Sequence, residues 1–411
     1  MPLSFKHIIL QGFILLLLLL YIYSIKFTFL PVTGKVCVAG LGVLLYALNF
    51  RRVTFAKSFR SVLMWILILF AWSILSYILN GGGQLIYTQL ILSFFSCFFA
   101  SYVISLFVAR LHIDFYNFLS LIFFTVVIES VCALFIRFSP SVQSFFFALQ
   151  EFQTHDSSDD SLLSLQRVVG LGEAVYFGVL PSCTLGFAAF AYLMQNKMKA
   201  AYRIIFILLF ILTGVVSFLT ARYALFPFAV FCGYMYIQIR KKISTACQIF
   251  ILVVIALFLS FLMSYLKDVL PAGMYEWAFE AFDSNSRQDS NTINELQEWW
   301  TTTNFPLKTL LIGDTMYTTS SGYYGGSDVG FFRQIWYGGV IGLLIMLKIH
   351  WTLLKSISNY FQDKKVRQLC YAIMLAYLLI LAKGDTNLID MLMFLLVVPF
   401  YSKMQLHNER I

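Results

Sequence analysis

The residues best suited to chemistry in this chain are a few charged groups at the ends of apolar runs. Arg222 sits in Leu219-Thr-Ala-Arg-Tyr223, a tight turn between two short apolar stretches. An arginine recessed there is costly without a partner. It either clamps an anionic substrate or snorkels to lipid phosphates. Arg167 opens Arg167-Val-Val-Gly-Leu-Gly-Glu173, whose glycines allow close backbone approach. Glu173 then stands at a helix start, where the dipole favours an acid. Asp328 and Arg333 flank the start of a later run, as helix cap and interface anchor or as working groups. Lys383 and Asp385 share the last turn and read as a turn charge pair. Asp314 and Tyr317 are weaker candidates, and Glu129, inside a run, is either functional or a partner for a buried arginine. Guanidinium groups match phosphate oxygens in bidentate fashion, so such a set suits a pyrophosphate, and a carboxylate among them suits a general base. There is no P-loop, no Gly-x-Ser-x-Gly and no metal-ligand cluster. A reaction here needs a substrate that arrives activated on a lipid-borne leaving group.

The elements that must position these groups are membrane helices. Hydrophobic residues make up 60% of the chain, against about 45–50% in soluble domains. They come in runs near 8–25, 35–50, 61–79, 87–108, 115–137, 174–194, 204–221, 223–239, 245–266, 330–349, 369–382 and 387–402. About 20 apolar residues span a bilayer, and lipid forces them into helix. The expected fold is therefore all-α and polytopic, one domain over 1–411 with about twelve spans (ten to twelve). Met1–Ser24 lacks a small-x-small cleavage site and is expected to persist as the first span. The seven cysteines lie in or beside apolar runs and read as small core residues.

The net charge of +9 does not point to nucleic acid, because the basic residues follow the positive-inside rule. Alternate connections hold Lys6, Arg51, Arg52, Lys57, Arg60, Arg110, Lys197, Lys199, Arg203, Arg240, Lys241, Lys242, Lys348, Lys355, Lys364, Lys365, Arg367, Lys403 and Arg410, nineteen of the 29. Both termini are thus expected in the cytoplasm. The two long polar segments, about 139–172 and 267–330, are expected outside, the second between spans nine and ten. Stretches Met274–Phe282 and Asn294–Trp300 read as interfacial helices with an aromatic face. There is no internal repeat.

The order and placement of these motifs resemble the Wzy-type O-antigen and capsule polymerases. Arg167–Glu173 is similar to that family's Arg-x-x-Gly…Glu entry into a span, although Ala follows Glu173 where Pro is common. Thr220-Ala-Arg222 resembles its small-residue-plus-Arg turn, and Gly313-Asp with Ser327-Asp-Val-Gly-Phe-Phe-Arg-Gln-Ile-Trp-Tyr-Gly-Gly339 resembles its signature at the end of the long loop. Lys383 matches a basic residue often found before the last span.

The resemblance implies a GT-C-like membrane glycosyltransferase at the periplasmic face of the bacterial inner membrane. It joins undecaprenyl-pyrophosphate-linked repeat units, with no metal, nucleotide sugar or other cofactor. Its partners are membrane lipid, a chain-length regulator and the repeat-unit flippase. Arg167, Arg222, Arg333 and Lys383 are expected on the pyrophosphate or sugar. Asp328, Glu173 and Arg222 are expected as the catalytic set, with Asp328 as base and Glu173 either the alternative base or the group that orients Arg167. An O-antigen ligase is the nearest alternative, but segment 267–330 has no histidine. A flippase or other transporter would want charges at the membrane midplane and two related halves.

The charge asymmetry is tested by reporter fusions. A reporter joined after Trp300 should be active outside the cytoplasm, and one joined after Ser356 inside it. Cytoplasmic activity at the first point would reverse the expected orientation.

Overall fold

The computed structural model describes residues 5–49, 57–151, 168–172, 179–196, 198–240, 244, 264–271, 274–275, 279, 297–301, 303–320 and 322–408. The chain is mostly helical. In order run α1 (Phe5–Ile22), α2 (Gly34–Leu48), α3 (Lys57–Leu79), α4 (Thr88–Arg110), α5 (Phe115–Phe138), α6 (Pro140–Leu149), α7 (Leu180–Leu193), α8 (Ala200–Thr220) and α9 (Leu225–Arg240). After these come α10 (Leu307–Ile312), a two-stranded hairpin of β1 (Thr318–Thr319) and β2 (Gly322–Tyr323), then α11 (Gly330–Phe361), α12 (Lys364–Leu381) and α13 (Ile389–Asn408). Among the described residues, five helices, α3, α4, α5, α8 and α11, are long and apolar enough to cross a membrane by length and composition. Eleven of the twelve apolar runs coincide with helices; the ninth, 245–266, lies mostly outside the described residues. Of the two expected aromatic helices, only 274–275, 279 and 297–300 are described, and these are helical.

Local chemistry explains the boundaries. Asp114 caps α5 by accepting from Asn117 N–H at 2.7 Å, and Asp363 caps α12 by accepting from Lys365 N–H at 2.8 Å. Gln362, in the left-handed conformation, stops α11. Hydroxyls within helices, such as Thr125, Ser130 and Thr213, donate to the carbonyl four residues back, so few polar hydrogens face the apolar surroundings. Segment 139–151 is not a plain loop. Pro140 starts the short helix α6, which buries none of its residues and leaves Phe145 61% exposed. Ten residues are too few to cross a bilayer.

Among the described residues most helices share one large core of aromatic and aliphatic side chains, including stacked Phe59–Tyr401 and Phe190–Phe210, with two smaller clusters beside it. A Cβ on Gly42 would stand 2.1 Å from the Phe99 carbonyl oxygen, so α2 and α4 meet backbone to backbone. One end of the bundle gathers the starts of α2, α4, α7, α9, α11 and α13, the ends of α3, α8 and α12, and the hairpin.

The most unusual element is α11. Its path breaks at Gly339 (φ 67, ψ −178), leaving a nine-residue half-helix before a long second half. The break frees carbonyls, and three of them find donors outside the helix. Asp314 N–H bonds to Trp336 O at 2.6 Å, Thr315 N–H to Tyr337 O at 3.2 Å, and Trp72 Nε1–H to Gly338 O at 2.7 Å. A Cβ on Gly339 would lie 2.2 Å from Leu311 O.

Gly339→Ala should therefore cost about 2–4 kcal/mol, from a backbone region nearly reserved for glycine and from the clash with Leu311. Gly40, inside α2, has open space around its Cβ position, so Gly40→Ala should not destabilise and should gain up to about 1 kcal/mol from helix propensity. Unfolding of the purified protein in detergent checks the contrast.

Candidate functional site

The candidate groups meet at the hairpin end of the bundle, where three backbone turns converge. The first is the turn after α8. Ala221 and Ala224 are buried against Leu180 and Ile380, so the turn Arg222–Ala224 lies flat on the end of α12. That contact sets the Tyr223 ring 5.5 Å from Lys383 Nζ, with half-buried Arg222 beside it. The second is the start of α11. A Cβ on Gly330 would lie 2.5 Å from Gly384 O, so the half-helix touches the third turn, between α12 and α13, through bare backbone.

Two ion pairs span that contact. Lys383 Nζ lies 2.9 Å from Asp328 Oδ1, with side chains 7% and 31% exposed. Arg333 Nε lies 4.0 Å from Asp385 Oδ2, with both side chains almost fully buried. The expected pair between Lys383 and Asp385 does not form. The half-helix inserts between them, and each takes its partner from α11 or the residues just before it.

Arg333 is held mainly by aromatic rings. Its guanidinium carbon lies 3.9 Å from the centroid of the Tyr317 ring and 3.8 Å from that of Tyr323. Guanidinium is weakly hydrated and planar, so it tolerates such a slot better than an ammonium would. Its Nε is buried without a hydrogen-bond partner.

Asp385 receives the Tyr317 hydroxyl on Oδ2 and the Gln334 amide at 3.0 and 3.2 Å. Tyr87 Oη–H donates to Gln334 Oε1 at 2.5 Å, which turns the amide NH2 toward Asp385. Burial raises the Asp385 carboxyl above the usual carboxylate value; Arg333, Tyr317 and Gln334 only partly offset it. Burial and the Asp385 charge likewise push the Tyr317 hydroxyl well up. Burial would lower the Lys383 ammonium, but the Tyr223 and Asp328 oxygens outweigh it and hold the group above the usual lysine value.

Asp314 lies one layer out, accepting from Thr309 at 2.8 Å and from Tyr324 at 3.3 Å. Aromatics line the rim, with Trp300 against Phe332 and Trp299 against Trp336. Among the expected site residues, Arg222, Asp328, Arg333 and Lys383 are thus brought together. Arg167 and Glu173 lie outside the described residues. The residues between them pack closely. Val168 N–H bonds to Leu219 O at 3.2 Å, three residues before Arg222. A Cβ on Gly170 would strike the Glu129 carboxylate, which takes the Leu171 N–H. Sequence reasoning missed Asp385 as a partner of Arg333, as well as Gln334 and the two tyrosine faces. Their signal was a polar residue directly after Arg333 and tyrosines dense in the preceding loop.

Protein-family models, curated proteins and solved structures were compared with the chain, and none matches it.

A double-mutant cycle tests the crossed pairing. Lys383→Met and Asp328→Asn should show a coupling of about 1–2 kcal/mol in unfolding experiments. Lys383→Met with Asp385→Asn should couple less; the opposite ranking would restore the turn pair.

Proposed function

We propose that this protein is a membrane glycosyltransferase of the Wzy type. It polymerises undecaprenyl-pyrophosphate-linked oligosaccharide units into O-antigen or capsular polysaccharide. The observation that carries the reading is the gathering of Arg222, Lys383 and Arg333 with two carboxylates at one end of an apolar helical bundle. Negative charge that develops on a leaving pyrophosphate is stabilised by fixed cations in a low-dielectric site. The carboxylates can take the proton of an attacking sugar hydroxyl. The aromatic rim suits sugar rings. Arg167 and Glu173 join the set on the strength of the resemblance alone.

On this reading the chain has about twelve spans in a GT-C-like arrangement. It lies in the bacterial inner membrane with cytoplasmic termini and a periplasmic active face. It works without metal or cofactor, beside a chain-length regulator and a flippase. Grouping of the charges at one end, rather than at mid-depth, favours transfer chemistry over transport.

Polymer made from purified lipid-linked units, without added metal or nucleotide, is the direct assay. Arg222→Ala should abolish polymer while the protein stays in the membrane at its normal level. Arg222→Lys should restore little, because lysine lacks the bidentate fork. Wild-type polymer from the alanine variant would remove Arg222 from the site. Bare lipid A core in cells lacking the gene, rather than core with one repeat unit, would point to a ligase or flippase.

A further inference from the structure

We infer that Asp385, acting through the Tyr317 hydroxyl, is the proton acceptor for the attacking sugar hydroxyl; the inference rests on the transfer reaction proposed above. Two carboxylates stand at the cluster, and their surroundings differ. Asp328 is 31% exposed and already holds the Lys383 ammonium at 2.9 Å. That ion pair occupies the carboxylate, so an incoming hydroxyl meets an oxygen already engaged by the ammonium. Asp385 is 4% exposed, and among the described residues its nearest cation is Arg333 at 4.0 Å, with no hydrogen bond between them. The tyrosine slot keeps the guanidinium at that distance. Desolvation without a close cation preserves basicity.

The donors around Asp385 leave one route for a proton. Gln334 donates to it from α11, and its amide is fixed by Tyr87 at the start of α4. A carboxamide so fixed cannot relay a proton. The other donor is the Tyr317 hydroxyl, from the half-buried loop before β1. Among the described residues, the titratable or charged groups facing Asp385 are Tyr317, Tyr87, Tyr377 of α12, and Arg333.

The acceptor hydroxyl oxygen bonds to the anomeric carbon of the donor. The bond from that carbon to the pyrophosphate oxygen breaks, and its electron pair leaves on the pyrophosphate. The acceptor proton passes to Tyr317 Oη as the Tyr317 proton passes to Asp385 Oδ2. Asp385 ends as the neutral acid and later returns its proton to water.

The test uses the full-length protein in detergent or nanodiscs, with purified lipid-linked repeat units. Tyr317→Phe keeps the ring over Arg333 and removes only the hydroxyl, so it serves even where Asp385→Asn does not fold. Both variants should lower turnover by about 10²–10³-fold with little change in KM for the donor. Wild-type turnover should fall as pH drops through the Asp385 ionisation, above the usual carboxylate range, because the protonated acid cannot accept. That limb should vanish in Asp385→Asn and persist in Asp328→Asn. Normal turnover by Tyr317→Phe or Asp385→Asn overturns the inference, as does an acid limb that vanishes only in Asp328→Asn. A wild-type protein that makes no polymer overturns the transfer reaction and the relay together; an active wild type with active variants overturns the relay alone.

Discussion

The hydrogen bonds that repair the break in α11 hold the site together. A helix interrupted in apolar surroundings leaves carbonyls that water cannot reach, and each unsatisfied group costs several kcal/mol on the order given for lipid. Here the donors come from Asp314, Thr315 and Trp72. The repair fixes the loop 313–315 to the half-helix, so Tyr317 and the hairpin follow. The corner between α3 and α4 supports the same loop, with Ser76 on Ile312 O, Asn80 on Gly313 O and Gln84 on the backbone of Tyr317 and Thr318. Register between the half-helix and this loop then decides which tyrosines meet Arg333.

Electrostatics follow from that geometry. Charges stripped of water are tolerated only with partners. The two pairs are crossed, each joining α11 or its approach to the turn between α12 and α13. The contact of Gly330 with Gly384 therefore does double duty, since it brings both pairs within range at once. A second, separate tie lies at the same end of the bundle. Lys35 at the start of α2 bonds to Asp390 at 2.6 Å, and Ser93 of α4 donates to the same carboxylate at 2.7 Å. It anchors α13 against α2 and α4, just past the turn that carries Lys383 and Asp385.

Much of this was legible in the sequence. Long apolar runs can be little else than helices, and charges at their ends mark positions where burial must be compensated. Arg222, Asp328, Arg333 and Lys383 stand out for that reason. The pairing was not legible, because it depends on where the half-helix enters. Adjacent charges such as Lys383 and Asp385 look like a pair until another backbone passes between them. The break itself left a trace in Tyr337-Gly-Gly339, two glycines within an apolar run. The run was read as continuous because hydropathy does not register a change of direction. Helix α6 was missed because it is too short for a span and too apolar for an ordinary loop.

The slot around Arg333 carries a consequence of its own. The rings of Tyr317 and Tyr323 stand 3.9 and 3.8 Å from the guanidinium carbon, and the side chain is 5% exposed. Its charge is thus matched by ring electrons instead of water. A charge kept in this way is screened little by dissolved salt, so its pull on Asp385 is much the same at low and high ionic strength.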